Sequence, residues 1–334
     1  LNTKLCYSNP KVRDIIIEDI VSDAKEQPQI DVLQFWLADG SNNQCECEGC
    51  QKKRPSDFYV MMLNSLDERL TEEELDVKIV FLIYVDLLWA PESERIKNPD
   101  RFILMFAPIT RTYSSTFSAD GELPAIPPYE RNKLKFSSKV EDNLALLKSW
   151  QDIFDGDSFD FDYHFMWDHY LDPGYYKVAE ILSADIKNLQ DIGLNGYLSC
   201  QTQRAFFPTG LSMYVMGRTL WDANLEFDDL VDEYFETAFG QDWQDCRDYL
   251  STMSELFDPP YLRGEKERVS GEAAERFSNI CVLIEDFREI IDRNLDSPNP
   301  CHAASWRYLN YHSDIACLLA LGLEARAQDK LEKA

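Results

Sequence analysis

The stretch DVKIVFLIYVD, residues 76–86, decides the fold. Between Val77 and Val85 only Lys78 and Tyr84 carry a polar group. A strand apolar on both faces is buried on both, as in a parallel sheet covered by helices on either side. A half-solvated strand would alternate instead. Upstream, PSDFYVMMLNSLDERL (55–70) has helical period behind a Pro-Ser-Asp start signal. Before it, IDVLQFWLADG (30–40) reads as a buried strand, and residues 10–25 as a helix opened by Asn9-Pro10. Downstream, RFILMFAPI (101–109), DFDYHFMWD (160–168) and GLNGYLSCQ (193–201) read as strands. Helical patterns at 139–153, 175–191 and 211–221 lie between and after them.

Strand and helix alternating in this way define an α/β chain, and a barrel and an open sheet both satisfy the pattern. The expectation drawn here is a (β/α)8 TIM-type barrel over residues 1–225. Such a barrel needs eight strands, and five are legible, or six if Lys4–Ser8 ends one. Either the first strands lie upstream of this chain, whose opening residue is Leu1, or the sheet is open. From about residue 226 to 334 only helices are legible, which suggests a helical C-terminal region.

Composition narrows the function. With 334 residues, 45% of them hydrophobic, the chain has ample material for a core. Its net charge of −27 repels phosphate backbones and anionic bilayers, so neither nucleic acid nor membrane is an expected partner. No apolar run approaches the roughly 20 residues that span a bilayer. A core this size needs no disulfide framework, so the nine cysteines suggest a reducing, cytoplasmic setting. Nothing in the sequence sets the oligomeric state.

Three of those cysteines form a C-x-C-x-x-C cluster, Cys45, Cys47 and Cys50. Thiols this close converge on one ion, and a structural zinc site wants four ligands. Cys6 is the natural fourth, leaving the preceding segment on the same side. A closed four-thiolate site has no open coordination position, so the expected zinc is structural. The competing reading is a set of reduced surface thiols.

In a parallel barrel, functional side chains gather where strands exit toward the next helix. Those exits carry Asp39, Asp86 and Asp168, the candidate acid, base or nucleophile of a glycosidase, which needs two carboxyl groups flanking the bond. Trp36, Tyr84, Trp89 and Trp167 are candidate platforms for sugar rings. Arg111 would hold an anionic group such as a uronate, and Tyr163, His164 and Gln201 complete the candidate substrate-binding set. The plainer alternative is that each aspartate caps a helix and the aromatics fill a core. Metal ligation by His164 and His169 requires the strand to end between them, since alternate strand positions face opposite ways. No phosphate-binding glycine loop and no G-x-S-x-G elbow occurs.

These residues resemble a bacterial family of uncharacterised proteins, domain of unknown function 4838. The matching pieces are Leu5-Cys6-Tyr7-Ser8-Asn9-Pro10, Leu37-Ala38-Asp39-Gly40 with Cys45, Cys47 and Cys50, then Pro55-Ser56-Asp57, the Gly193-to-Gly196 strand and Thr219-Leu220-Trp221-Asp222. The family looks like a distant relative of α-glucuronidases and other barrel glycoside hydrolases. The resemblance implies a carbohydrate-related role. The first expectation is a glycoside hydrolase in which two of the three aspartates converge about 5–10 Å apart across a pocket. The chain departs from hexosaminidase-type barrels, which carry adjacent Asp-Glu where this one has Asp39-Gly40. The second expectation is a sugar-binding barrel without chemistry.

Overall fold

A computed structural model of the chain describes residues 3–202, 205–330 and 332. Five strands form one sheet in the order β1-β2-β3-β4-β5: β1 Val32–Phe35, β2 Lys78–Tyr84, β3 Phe102–Ala107, β4 Asp157–Asp162 and β5 Tyr197–Ser199. Phe35 aligns with Phe81, Phe81 with Leu104, and Met105 with Phe159, all in parallel. This corrects the barrel expectation. Among the described residues the sheet has five strands and stays open, so it is not a closed (β/α)8 TIM-type barrel. Lys4–Ser8 adds no strand; the Lys4 backbone N–H donates instead to Asn43 O (2.8 Å). The physical reason for the miss is that the two architectures bury strands identically. What separates them is whether the outermost strands find each other, and that has no local sequence signal.

The strands obey their burial. In β2 every residue from Ile79 to Ile83 is buried, as the apolar run requires. β1 is half exposed and only four residues long, and β5 has three, so each outermost strand offers a short edge. β4 starts and ends earlier than the sequence suggests. Ser158, Asp160 and Asp162 are its buried positions, and the apolar Tyr163–Trp167 that follows is turn, closed by Met166 N to Tyr163 O (3.0 Å).

The helices are α1 Pro10–Glu26, α2 Glu48–Gln51, α3 Pro55–Glu72, α4 Val140–Gln151, α5 Lys177–Asn188, α6 Leu211–Trp221, α7 Phe227–Phe239, α8 Trp243–Phe257, α9 Pro259–Leu262, α10 Gly271–Asn294 and α11 Pro300–Ala327. None is long and apolar enough to cross a membrane.

The chain divides into two compact units. The first comprises Leu1–Arg111, Phe117–Asp162 and Leu189–Leu198; the second comprises Thr112–Thr116, Tyr163–Asn188 and Ser199–Ala334. Phe81 is the hub of the first core, its ring meeting those of Tyr59, Phe102, Trp150 and Phe154 at centroid distances of 5.1–6.3 Å. The buried Tyr59 hydroxyl donates to Phe35 O and accepts from Leu82 N (3.1 Å), where the next rung between β1 and β2 would fall. The second unit is a helical core in which Trp306 donates to Phe239 O (2.9 Å) and Tyr249 stacks on Phe287 at 4.1 Å. A disulfide, Cys281–Cys317, joins α10 to α11, pairing two cysteines whose sequence spacing gave no hint of it.

Asp57 fixes both ends of a connection in the first unit. Its carboxylate accepts from Arg54 N (3.0 Å) at the start of α3, and from Ser93 N (2.7 Å), the Ser93 hydroxyl (3.1 Å) and Glu94 N (3.0 Å) in the loop after β2. Burial alone would raise its pKa, but these donors outweigh that and hold it below the usual carboxylate value. The folded state therefore binds the proton less readily than the unfolded chain. The stabilisation is complete above the unfolded pKa of roughly 4 and is lost as the pH falls through the folded value. Asp57→Ala is expected to remove about 2–4 kcal/mol at neutral pH, measured by urea unfolding, and its deficit should shrink on acidification. A constant deficit from pH 7 to 3 contradicts this account.

Candidate functional site

The cysteine knuckle follows β1. Cys47 sits just before the short α2, whose single turn carries Cys50 back toward Cys45. Cys6, in the segment before α1, completes the group: Cys6 Sγ lies 3.5 Å from Cys47 Sγ and 3.7 Å from Cys50 Sγ. All four sulfurs lie within 4.8 Å of one another. They form a site that a metal ion can occupy, and among the described residues no other group of three His, Cys, Asp or Glu side chains does so. The Ser8 hydroxyl lies among them, 3.3–3.4 Å from the sulfurs of Cys6, Cys47 and Cys50. That hydroxyl, the backbone N–H of Cys50 and the Cys6 thiol lower the Cys47 pKa to about 6. At Cys45 the Cys47 N–H pulls the pKa down, but burial and the neighbouring thiols prevail and raise it to about 11. Four thiols this close cannot all ionise without a cation.

The knuckle is held from behind. Arg131 donates to Cys50 O (2.6 Å) and Lys53 O (2.5 Å), and Asn132 exchanges hydrogen bonds with the backbone of Gln44 (2.7 and 2.9 Å). Asp86, at the exit of β2, belongs to the same scaffold. It is buried, accepts from Asn42 N with both oxygens (3.1 Å each) and from Gln44 Nε2 (2.7 Å), and so folds the 40–44 loop over the strand end. Asn42 takes φ +54°, which asparagine tolerates better than most residues.

Asp39 is the exposed carboxylate of this edge, bonded to the next backbone N–H at Gly40 (2.7 Å). Tyr84 lies beside it: burial first, then the charge and hydrogen bond of Asp39, raise the tyrosine pKa to about 12. The buried Lys4 ammonium is disfavoured by desolvation and partly compensated by Asp86 and Asp39. Trp36 is 43% exposed and meets Phe161 edge-on at 5.9 Å.

The other predicted residues divide between the two units. Trp89 is buried, donates to Pro127 O (2.7 Å) and touches Tyr129 and Phe136. Arg111 is buried with its guanidinium 3.9 Å above the Phe117 ring. In the second unit, Trp167 is exposed and stacks on Tyr163 at 5.9 Å, and Gln201 is exposed. His164 is fully buried, 3.6 Å from Asp185, while burial lowers the His169 pKa. Asp168 pairs with Arg263 at 2.7 Å, both buried, and Arg263 also reaches the Ser114 hydroxyl (3.0 Å). A cavity of about 470 Å³ in the first unit is lined by Leu104, Leu144, Phe154 and Gly193 among others, and by none of the predicted site residues.

Sequence reading missed Ser8, Arg131, Asn132 and Arg263. Ser8 stands two residues from Cys6 and was within reach; the others come from 78 or more residues away along the chain.

An α/β chain with a four-thiol knuckle beside an open parallel sheet is thus the class of protein defined here. The family model described as Domain of unknown function (DUF4838) matches residues 1–250, and the chain belongs to that family. No curated protein and no solved structure matches it.

The Asp168–Arg263 pair yields a direct test. Arg263→Met takes the guanidinium away from a buried carboxylate and is expected to destabilise the protein by about 3–5 kcal/mol, whereas replacing both partners with apolar residues recovers much of that. Equal losses for the single and double variants in thermal unfolding would contradict a mainly structural pair.

Proposed function

We propose that this chain binds carbohydrate at the carboxyl-end edge of its sheet in the first unit. Trp36 is the platform for a sugar ring, and Asp39 and Tyr84 are the hydrogen-bonding groups beside it. The observation that carries this reading is the combination at one strand exit of an exposed indole and an exposed carboxylate. Trp167 and Trp221 are exposed as well, so it is the pairing of Trp36 with a carboxylate, and not its exposure, that supports the reading; the resemblance noted in the sequence points to carbohydrate as well. Glycoside hydrolysis is the second reading, favoured by Asp39 alone: its carboxylate is exposed, whereas Asp86 is taken up by Asn42 and Gln44, and Asp168 by Arg263. Hydrolysis needs a second carboxyl group.

Titration of the protein with neutral and uronate-bearing oligosaccharides, followed by tryptophan fluorescence and calorimetry, separates these readings. Trp36→Ala is expected to weaken binding about tenfold, equivalent to roughly 1.4 kcal/mol. If the protein only binds, Asp39→Asn leaves the sugar bound and no aryl-glycoside is turned over. Turnover lost in Asp39→Asn favours hydrolysis. No binding of any glycan at millimolar concentration removes both.

We infer further that the thiol quartet holds a structural zinc. Tetrahedral Zn–S bonds of about 2.3 Å place sulfurs roughly 3.8 Å apart, against 3.5 and 3.7 Å for the Cys6 contacts. Four thiolates leave no open position, so the ion would tie the segment before α1 to the loop after β1 without taking part in chemistry. Metal analysis of the purified chain should find about one zinc per molecule. Its removal by a strong chelator, or Cys50→Ala, should lower the melting temperature. A metal-free chain whose melting ignores added zinc would sink the idea.

A further inference from the structure

The last helix, α11, is apolar on two sides. One face is buried in the helical core through Trp306, Leu309, Ala316, Ala320 and Leu323. The other runs along positions 301, 304, 308, 311, 315, 318, 322 and 325, every one at least partly exposed. The first six are Cys301, Ala304, Tyr308, Tyr311, Ile315 and Leu318, followed by a glycine and an alanine; none is charged. Leu318 is 71% exposed and Ile315 55%. Steps of three and four sustained over more than three heptads are the seam of a helix pair. A helix with one solvated face has no need of them.

We propose that this face joins two copies of the chain, with their α11 helices antiparallel about a two-fold axis. The charges beside the seam choose the register. Arg307 and Asp314 each stand one residue before a seam position and seven apart, so they share one flank. Arg307 is exposed, and the Asp314 carboxylate remains 64% exposed beyond its bond to Arg288. Setting Arg307 of each copy opposite Asp314 of the other forms two ion pairs by symmetry. The same register lays Tyr308 against Tyr311, Ile315 over Ala304 and Leu318 over Cys301, each large aliphatic side chain meeting a small one. Sliding by one heptad toward the chain end brings the two Asp314 side chains together, and a parallel pair forms neither ion pair. Opposite charges at the flank and large-on-small contacts at the seam thus select one arrangement.

Sedimentation equilibrium of the full chain tests this. A monomer–dimer equilibrium is expected, with Kd in the micromolar range. Ile315→Glu should weaken it by about thirtyfold or more, and Arg307→Glu by about tenfold. Combining Arg307→Glu with Asp314→Arg should restore most of the affinity, the signature of a direct pair across the interface. Both single substitutions lie on the surface, so unchanged melting curves will show that lost association is not lost folding. A chain that stays monomeric at millimolar concentration overturns the proposal. So does a dimer indifferent to Ile315→Glu, or a charge reversal that the second reversal fails to rescue. The outcome is independent of the carbohydrate reading.

Discussion

The carboxylate of Asp86 is the constraint on which the first unit's functional edge depends. Buried at the end of β2, it has to be met by donors, and it recruits them from one short stretch, the Asn42 N–H and the Gln44 amide. Meeting that demand bends the chain after β1 back across the strand exit. The consequences run in both directions from the bend. On one side Asp39 and Trp36 are left at the surface; on the other Cys45 begins the knuckle that meets Cys6. One buried carboxylate, satisfied by the 42–44 loop, thereby shapes both the candidate sugar edge and the thiol site.

The two units are stabilised by different means. In the first, a sheet strand buried on both faces carries the core, and polar clamps such as Asp57 and Arg131 fix the loops around it. In the second, helices close on aromatic rings, with one covalent link between α10 and α11. The sulfur chemistry divides in the same way, with a cluster of free thiols in one unit and a disulfide in the other.

Much of the secondary structure is legible in the residues. The apolar run of β2 is a strand as read, and the helices behind Asn9-Pro10 and Pro55 start where those signals stand. The failures share one cause, dependence on remote partners. Whether β1 and β5 meet decides between barrel and open sheet, and neither strand's sequence records it. The run Tyr163–Trp167 is apolar enough for a strand but turns because its chain bonds to itself. The thiols of Cys45, Cys47 and Cys50 were legible because their spacing is a local property, and Cys6 followed as the fourth ligand such a trio lacks. Asp86 and Asp168 looked alike in sequence, and only Gln44 and Arg263 reveal that each carries a neighbour's burden.

The Tyr59 hydroxyl stands where the pairing of β1 with β2 ends. Set between the Phe35 carbonyl and the Leu82 amide, it lets the two strands part without leaving either group dry. A phenylalanine at that position would match the ring's shape and still be the wrong residue, since nothing would quench the two exposed dipoles in a sealed interior. Side-chain identity at position 59 is therefore governed by one oxygen atom, and the clean end of the pairing between β1 and β2 rests on it.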